Sequence, residues 1–269
     1  MRLSSIEASI VATLSPQPLA NPQPNSRLAD PWKAFDRIYC ITLANRPDRC
    51  ESARAQFQRV GLADFVEFVI VDKHPVDSEL GIFESHMGCL RAALAAGAQK
   101  IAIFEDDIIF TPFSPGRIGR AVEFMESGHD WKLFFFGCFV NSSRATRFTA
   151  VIKVDYRCAA HAYVVSDEFA RVLVQVPWSG IPYDNFLRSM SFGGTYAIYP
   201  AIAFQSASAT DNDKRRNIDR ARRFFGGFRR LQRWNEFSSR RVVPLIIGHV
   251  LSVIALLLLV LHHYGWLWR

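Results

Sequence analysis

The 269-residue chain is short of the features that mark several large protein classes. It has five cysteines (Cys40, Cys50, Cys89, Cys138, Cys158), odd in number, scattered and without a Cys-x-x-Cys pair. That excludes a zinc ribbon and a disulfide framework and predicts reduced, mostly buried thiols. No GxxxxGK[ST] loop is present, so a P-loop phosphate site is missing. No internal repeat appears, which sets aside solenoids and propellers. The N-terminus offers no secretory signal, because Glu7 interrupts its one apolar stretch and residues 8–14 are short for a signal core. A net positive charge is also absent from most of the chain. Residues 214–241 hold eleven Lys or Arg against Asp219 and Glu236, a local +9, so the remainder of the +7 total is −2. A basic domain is excluded; a basic RNA-binding tail is the less favoured alternative for the belt, and nucleic acid is not an expected partner. Directly after that belt, residues 242–261 contain no Asp, Glu, Lys or Arg, and about twenty residues is the length that crosses a hydrocarbon core.

What is present bounds the organisation. With 49% hydrophobic residues, the chain can bury one core of ordinary size and still have segments left over. Pro16, Pro18, Pro22, Pro24 and Pro31 among Ser, Asn and Gln mark residues 1–33 as a flexible leader, ahead of a domain over 34–212. In the belt over 213–241, Phe224, Phe225, Phe228, Leu231 and Trp234 interleave with arginines, predicting an amphipathic helix on anionic lipid. A membrane helix over 242–261 follows, with a short aromatic tail over 262–269. Pro244, Gly248 and His249 leave a kinked or interfacial helix as the alternative to a full span. The positive-inside rule puts the belt and the domain on the cytoplasmic face, with Tyr264, Trp266 and Trp268 as anchors at the far interface.

From Asp36 onward, apolar runs alternate with helical patterns, the signature of an α/β fold with a largely parallel sheet. Strands are predicted over 38–43, 66–71, 101–104, 133–138, 162–165 and 196–199, the last ended or held at an edge by Pro200. Helices are predicted from Pro47 to about Val60, from an N-cap at Ser85 to Gly97, and over 167–174.

The run Ile101-Ala102-Ile103-Phe104-Glu105-Asp106-Asp107-Ile108-Ile109-Phe110 ends an apolar strand on three adjacent carboxylates and then returns to apolar residues. Folding alone does not ask for this. Ligands of open α/β sheets bind outside the carboxyl ends of such strands, and clustered carboxylates are hard ligands suited to Mg or Mn. A divalent metal site is one reading; a solvated strand end or a helix-capping acid is the other.

In order, Ile41-Thr42-Leu43 with Asn45, Arg46, Asp48 and Arg49, then Val71-Asp72, Gly81, Ser85-His86 and Phe104-Glu105-Asp106-Asp107 resemble glycosyltransferase family 25. That family includes bacterial lipooligosaccharide transferases and collagen galactosyltransferases. Pro182-Tyr183-Asp184-Asn185-Phe186-Leu187 and Tyr199-Pro200 with Gln205 are similar to its downstream blocks, while Ile82 and Glu84 depart from it. The resemblance covers roughly residues 36–211. It implies a GT-A-like nucleotide-sugar transferase, in which the acidic motif holds Mn or Mg on the donor diphosphate.

On that reading Asp107 is the first metal ligand and Glu105 the second, because alternate residues of an extended segment face one side, and Asp106 either meets the donor or turns away to fix the loop. Asp184 is the candidate base for the acceptor hydroxyl, with a turn or N-cap aspartate as the alternative. His86 is a candidate donor contact or a packed histidine. Arg46 and Arg49 open a helix, where cations oppose the dipole, and so suggest an anionic ligand or solvated surface. Asp72 is placed to hold the ribose, or is an ordinary turn residue. The implied partners are a nucleotide-sugar donor, a lipid-linked glycan acceptor and membrane lipid. The rival readings are a metal-dependent phosphoryl or nucleotidyl transferase and a membrane-tethered, non-catalytic binding or scaffold protein.

Overall fold

The computed structural model describes residues 30–191, 193–206, 208 and 227–267. Most of the expected leader, the part of the belt before Gly227, and Trp268 lie outside the described residues. The compact unit begins at Pro31, and a 3-10 turn over Pro31–Ala34 buries Trp32, whose Nε1 donates to the Val60 carbonyl at 2.9 Å.

The elements follow the chain as β1 (Arg37–Leu43), α1 (Pro47–Arg59), β2 (Glu67–Val71), α2 (Ser78–Ala95), β3 (Lys100–Glu105), β4 (Ile108–Phe110) and α3 (Pro115–Glu126). Then come β5 (Leu133–Phe135), β6 (Phe139–Ala145), β7 (Val151–Cys158), β8 (Ala162–Ser166) and α4 (Asp167–Leu173). The last are α5 (Tyr183–Met190), β9 (Thr195–Ile198), β10 (Ala203–Gln205), α6 (Gly227–Ser239) and α7 (Val242–Leu267).

Eight strands form one sheet in the order β2-β1-β3-β8-β5-β9-β7-β6. Following the pairings outward from β1, only β8 and β7 run against it, so six of the eight strands share a direction. The fold is α/β, with a largely parallel sheet flanked by helices and an apolar C-terminal helix. Both faces are covered, and this explains the continuous apolar runs. Along β3, Ala102 and Phe104 join one core cluster with Phe57 of α1 and Ile118 of α3, while Ile101 and Ile103 join the other with Met87 of α2 and Phe169 of α4.

Two expectations are corrected, and a third is resolved between its alternatives. The second helix begins at Ser78, not near Ser85: Asp77 caps it by accepting from the Glu79 amide, and Ser85 lies inside it with its hydroxyl on the Gly81 carbonyl. Glu79, Gly81 and Glu84 had masked its first turns. The stretch expected as one strand over 133–138 breaks after Phe135: the Phe136 carbonyl accepts from the amides of Ile202 and Ala203, and Gly137 lies so close to this segment that a Cβ there would meet the Ala203 carbonyl oxygen at 1.9 Å and Gln232 Nε2 at 2.6 Å. The strand before Pro200 is an interior one, between β5 and β7; it ends at Ile198, two residues short of the proline, so no ladder bond is lost.

Candidate active site

The parallel strands β1, β2 and β3 end on one edge, and a cleft of about 230 Å³ opens there. Its lining includes Thr42, Asp72, His86, Asp107 and Asp184, so residues distant in sequence meet at one place. Glu105, Asp106 and Arg49 line it as well.

Geometry divides the three acids. Asp106 turns inward: Thr42 Oγ1 donates to its Oδ2 at 2.7 Å, Arg49 pairs with its Oδ1, and its amide donates to the Ile41 carbonyl. It fixes the turn. Asp107 faces the cleft, with Arg49 at 3.3 Å from Oδ2, while its Oδ1 is buried without a hydrogen-bond partner among the described residues. Burial first, then the charge of Glu105, pushes the Asp107 carboxyl up to about 7, with Arg49 opposing the shift. A buried carboxylate oxygen without a donor beside a second acid is what a hard cation would satisfy, and such an ion reverses the local charge balance. Among the described residues no three His, Cys, Asp or Glu side chains converge on a metal position. The residues therefore suit an ion that takes one or two carboxylates and completes its shell with phosphates and water, a common arrangement for Mg.

Glu105 is held from behind. Its amide donates to the His161 carbonyl, and His86 Nε2 stands 3.6 Å from its carboxylate. His86 is fully enclosed in α2, stacked on Tyr183 at 4.0 Å, with Nδ1 sharing a hydrogen bond with the Tyr163 hydroxyl at 2.8 Å. Burial pushes its imidazole down to about 3, so it is neutral at pH 7. The structure shows His86 as a packed ring beside Glu105 that also lines the cleft.

Asp184 sits in the first turn of α5 and lines the cleft. Its Oδ1 accepts from Tyr156 Oη at 2.7 Å and from the amides of Ala159 and Ala160 at 3.1 and 3.0 Å. Ala159 takes φ 76, an unfavoured region for a residue with a side chain, in the turn that aims both amides at one oxygen. Asp72 is exposed at the end of β2 on the cleft rim. Arg46 closes on exposed Asp48 at 2.9 Å and is not among the cleft-lining residues.

Sequence reading missed several contributors. Thr42 was quoted only as part of a motif, yet a buried hydroxyl in the run Ile41-Thr42-Leu43 needs a partner, and that was the available signal. Tyr163 and Tyr183, joined hydroxyl to hydroxyl at 2.7 Å, carry His86. β10 pairs with β4 and brings the Ser206 amide to the Asp107 carbonyl at 2.7 Å. Finally α6, expected on lipid, docks on the domain through polar side chains. Asn235 bonds both the amide and the carbonyl of Val140, Gln232 donates to the Ala203 carbonyl, and Phe228 packs against Phe139 and lines the cleft. Trp234 remains exposed.

The chain is 27% identical over 129 residues to the human protein named inactive glycosyltransferase 25 family member 3. The resemblance to glycosyltransferase family 25 is borne out. The match takes in 38% of this chain and spans only 22% of that relative's length. No protein-family model matches the chain. Among solved structures, the A197 protein from STIV aligns at TM-score 0.44 and 14% identity, over 63% of this chain and 85% of that one. A glycosyltransferase involved in glycosylating the major capsid of PBCV-1 aligns at 0.40 and 10%, over 69% and 99%. At these scores the likenesses assign no reaction. The family 25 resemblance therefore rests on sequence.

Proposed function

We propose that the chain is a membrane-attached, metal-dependent hexosyltransferase. It moves a hexose from UDP-galactose or UDP-glucose to a lipid-linked glycan such as lipooligosaccharide core, with inversion at the anomeric carbon. The observation that carries this reading is the Asp107 Oδ1, buried and without a hydrogen-bond partner among the described residues, where three parallel strands end. Asp107 and Glu105 are assigned as ligands of Mn or Mg, which when bound supplies Lewis-acid charge against the departing diphosphate. Asp106, tied to Thr42 and Arg49, holds the turn so that its neighbours keep their aim. Asp184, oriented by three donors, takes the proton from the acceptor hydroxyl as that oxygen attacks. Asp72 at the rim is assigned to the ribose hydroxyls.

Attachment rests on α7. Ile246–His263 is the segment, among the described residues, long and apolar enough to cross a membrane, and none of it is buried in the fold. Trp234 and Phe237, stacked on one another and exposed on α6, add an aromatic surface just before it. The excess of arginine there puts the domain on the cytoplasmic face, in this reading of a bacterial inner membrane. A domain held at the bilayer meets an amphiphilic acceptor at high effective concentration.

The name of the human relative, which includes the word inactive, favours a second reading: a tethered protein that binds a donor without turning it over. The test is product release from a panel of UDP-sugars by detergent-solubilised protein, with Mn, with Mg and with chelator, beside Asp107→Ala. UDP release that needs both metal and Asp107 is expected. Donor binding without release, even with lipooligosaccharide acceptor added, would establish the second reading; UMP in place of UDP would indicate transfer of the sugar phosphate, and sugar 1-phosphate would indicate nucleotidyl transfer.

A further inference from the structure

Away from the cleft, a second hollow of about 560 Å³ lies between the start of α3 and the turn joining β6 to β7. Arg117 and Arg120 reach it from α3 and Arg240 from just beyond the end of α6, and no Asp or Glu is among its lining residues. Two of the three guanidiniums have defined seats: Arg240 stacks over Tyr199 at 4.1 Å, and Arg117 donates to the Pro200 carbonyl at 3.4 Å. Glu236, whose charge is felt by Arg117 and Arg240, turns its carboxylate to the Ala201 amide and does not line the hollow. Three like charges around one concavity repel unless an anion joins them, and the planar guanidinium suits the oxygens of a phosphate. The end of α3 contributes in the same sense. Pro115 occupies its first turn and Ser114 makes no side-chain cap bond, so its amide end adds positive potential to the arginines without being the basis of the site.

Position narrows the ligand. Arg240 stands two residues before Val242, where α7 begins, so the hollow sits beside the point at which the chain would enter a bilayer. We propose that this hollow binds the anionic phosphodiester headgroup of a membrane lipid. The inference rests on the membrane-attached reading of α7 and is independent of the transferase reading.

The test uses the full chain in non-ionic detergent, with dihexanoyl phosphatidylglycerol below its micelle concentration as the probe and calorimetric binding as the readout. Dihexanoyl phosphatidylcholine and inorganic phosphate serve as the other arms. Saturable binding of phosphatidylglycerol, at least tenfold tighter than phosphatidylcholine or inorganic phosphate, is expected. Arg117→Gln/Arg120→Gln should weaken it at least tenfold, and Arg120→Gln alone, at an exposed position, should weaken it in the same direction should the double variant fold poorly. Equal binding by wild type and Arg120→Gln, or no binding at all, would overturn the site. Inorganic phosphate binding as tightly as phosphatidylglycerol would overturn the lipid source. UDP-sugar turnover by Arg120→Gln should match wild type, and vesicle flotation of the same proteins reads the membrane attachment separately.

Discussion

Asp107 and Asp184 face one cleft, but their surroundings differ in kind. Asp107 keeps a buried oxygen without a donor among the described residues, whereas three donors converge on one oxygen of Asp184. That difference makes Asp184→Asn a clean test, because the amide oxygen can keep all three bonds while the basic oxygen is replaced by NH₂. Donor binding and thermal stability should stay close to wild type while transfer falls by about 10²-fold or more, the usual range for a lost general base. Unchanged transfer would remove Asp184 from the mechanism. Thr42→Val tests the turn itself. It leaves Asp106 Oδ2 short of a buried donor and should cost about 1–3 kcal/mol in urea unfolding.

At the scale of elements, α6 is inverted relative to the usual surface helix. Gln232, Asn235, Glu236 and Ser239, spaced at three and four residues, face the domain, while Trp234 and Phe237 face out. The inversion follows from what the domain offers: the β6 start and the chain at 201–203 present backbone groups that need partners, and amide and carboxylate side chains supply them. Asn235→Ala removes both bonds to Val140 and should lower stability by about 1–3 kcal/mol, since the amide and carbonyl are left in a partly buried interface. Gly137→Ala should be at least as harmful, about 2 kcal/mol or more, because its Cβ would strike the Ala203 carbonyl oxygen at the joint between β5, β10 and α6. Thermal denaturation of both variants is the check, and a neutral Gly137→Ala would mean that β10 can shift away.

For the whole molecule, two enclosed histidines make one contribution to the response to acid. Burial pushes His161 down to about 4 and His86 to about 3. Each binds a proton near pH 6.5 when unfolded and only at much lower pH when folded. The unfolded chain therefore takes up more protons as pH falls below 6.5, and stability present above that value is lost progressively towards pH 4, by on the order of 3 kcal/mol for His161. Asp107, pushed up to about 7, works in the opposite sense and gains stability as pH falls, so the histidine contribution is read by difference: between pH 7.5 and 5, His161→Phe should gain stability relative to wild type in urea unfolding. A difference between the two proteins that does not change with pH would mean that this ring titrates normally. Deleting residues 242–269 should release the domain into the soluble fraction; retention on vesicles would make the exposed face of α6 the principal attachment.

Order and composition along the chain determined the α/β class, the strand endings at Leu43 and Val71 and, to within one residue, at Glu105, the acidic turn and the apolar C-terminal helix, because each depends on neighbours in sequence: apolar periodicity, capping residues, runs without charge. Tertiary structure alone decided which acids face the cleft. Asp106 was drawn inward by Thr42 and Arg49, whose positions depend on the packing of α1 against β1, and His86 lost its charge to enclosure by Tyr163 and Tyr183, about eighty and one hundred residues away. Local patterns also hid the β6–β7 pair, whose first strand is mostly polar because only part of it is buried, and they gave no sign that the polar face of α6, opposite its exposed Trp234 and Phe237, would dock on backbone groups of the domain. Contacts between residues far apart in sequence chose the partners of each polar atom, and a linear pattern does not encode which distant donor reaches a buried acceptor first.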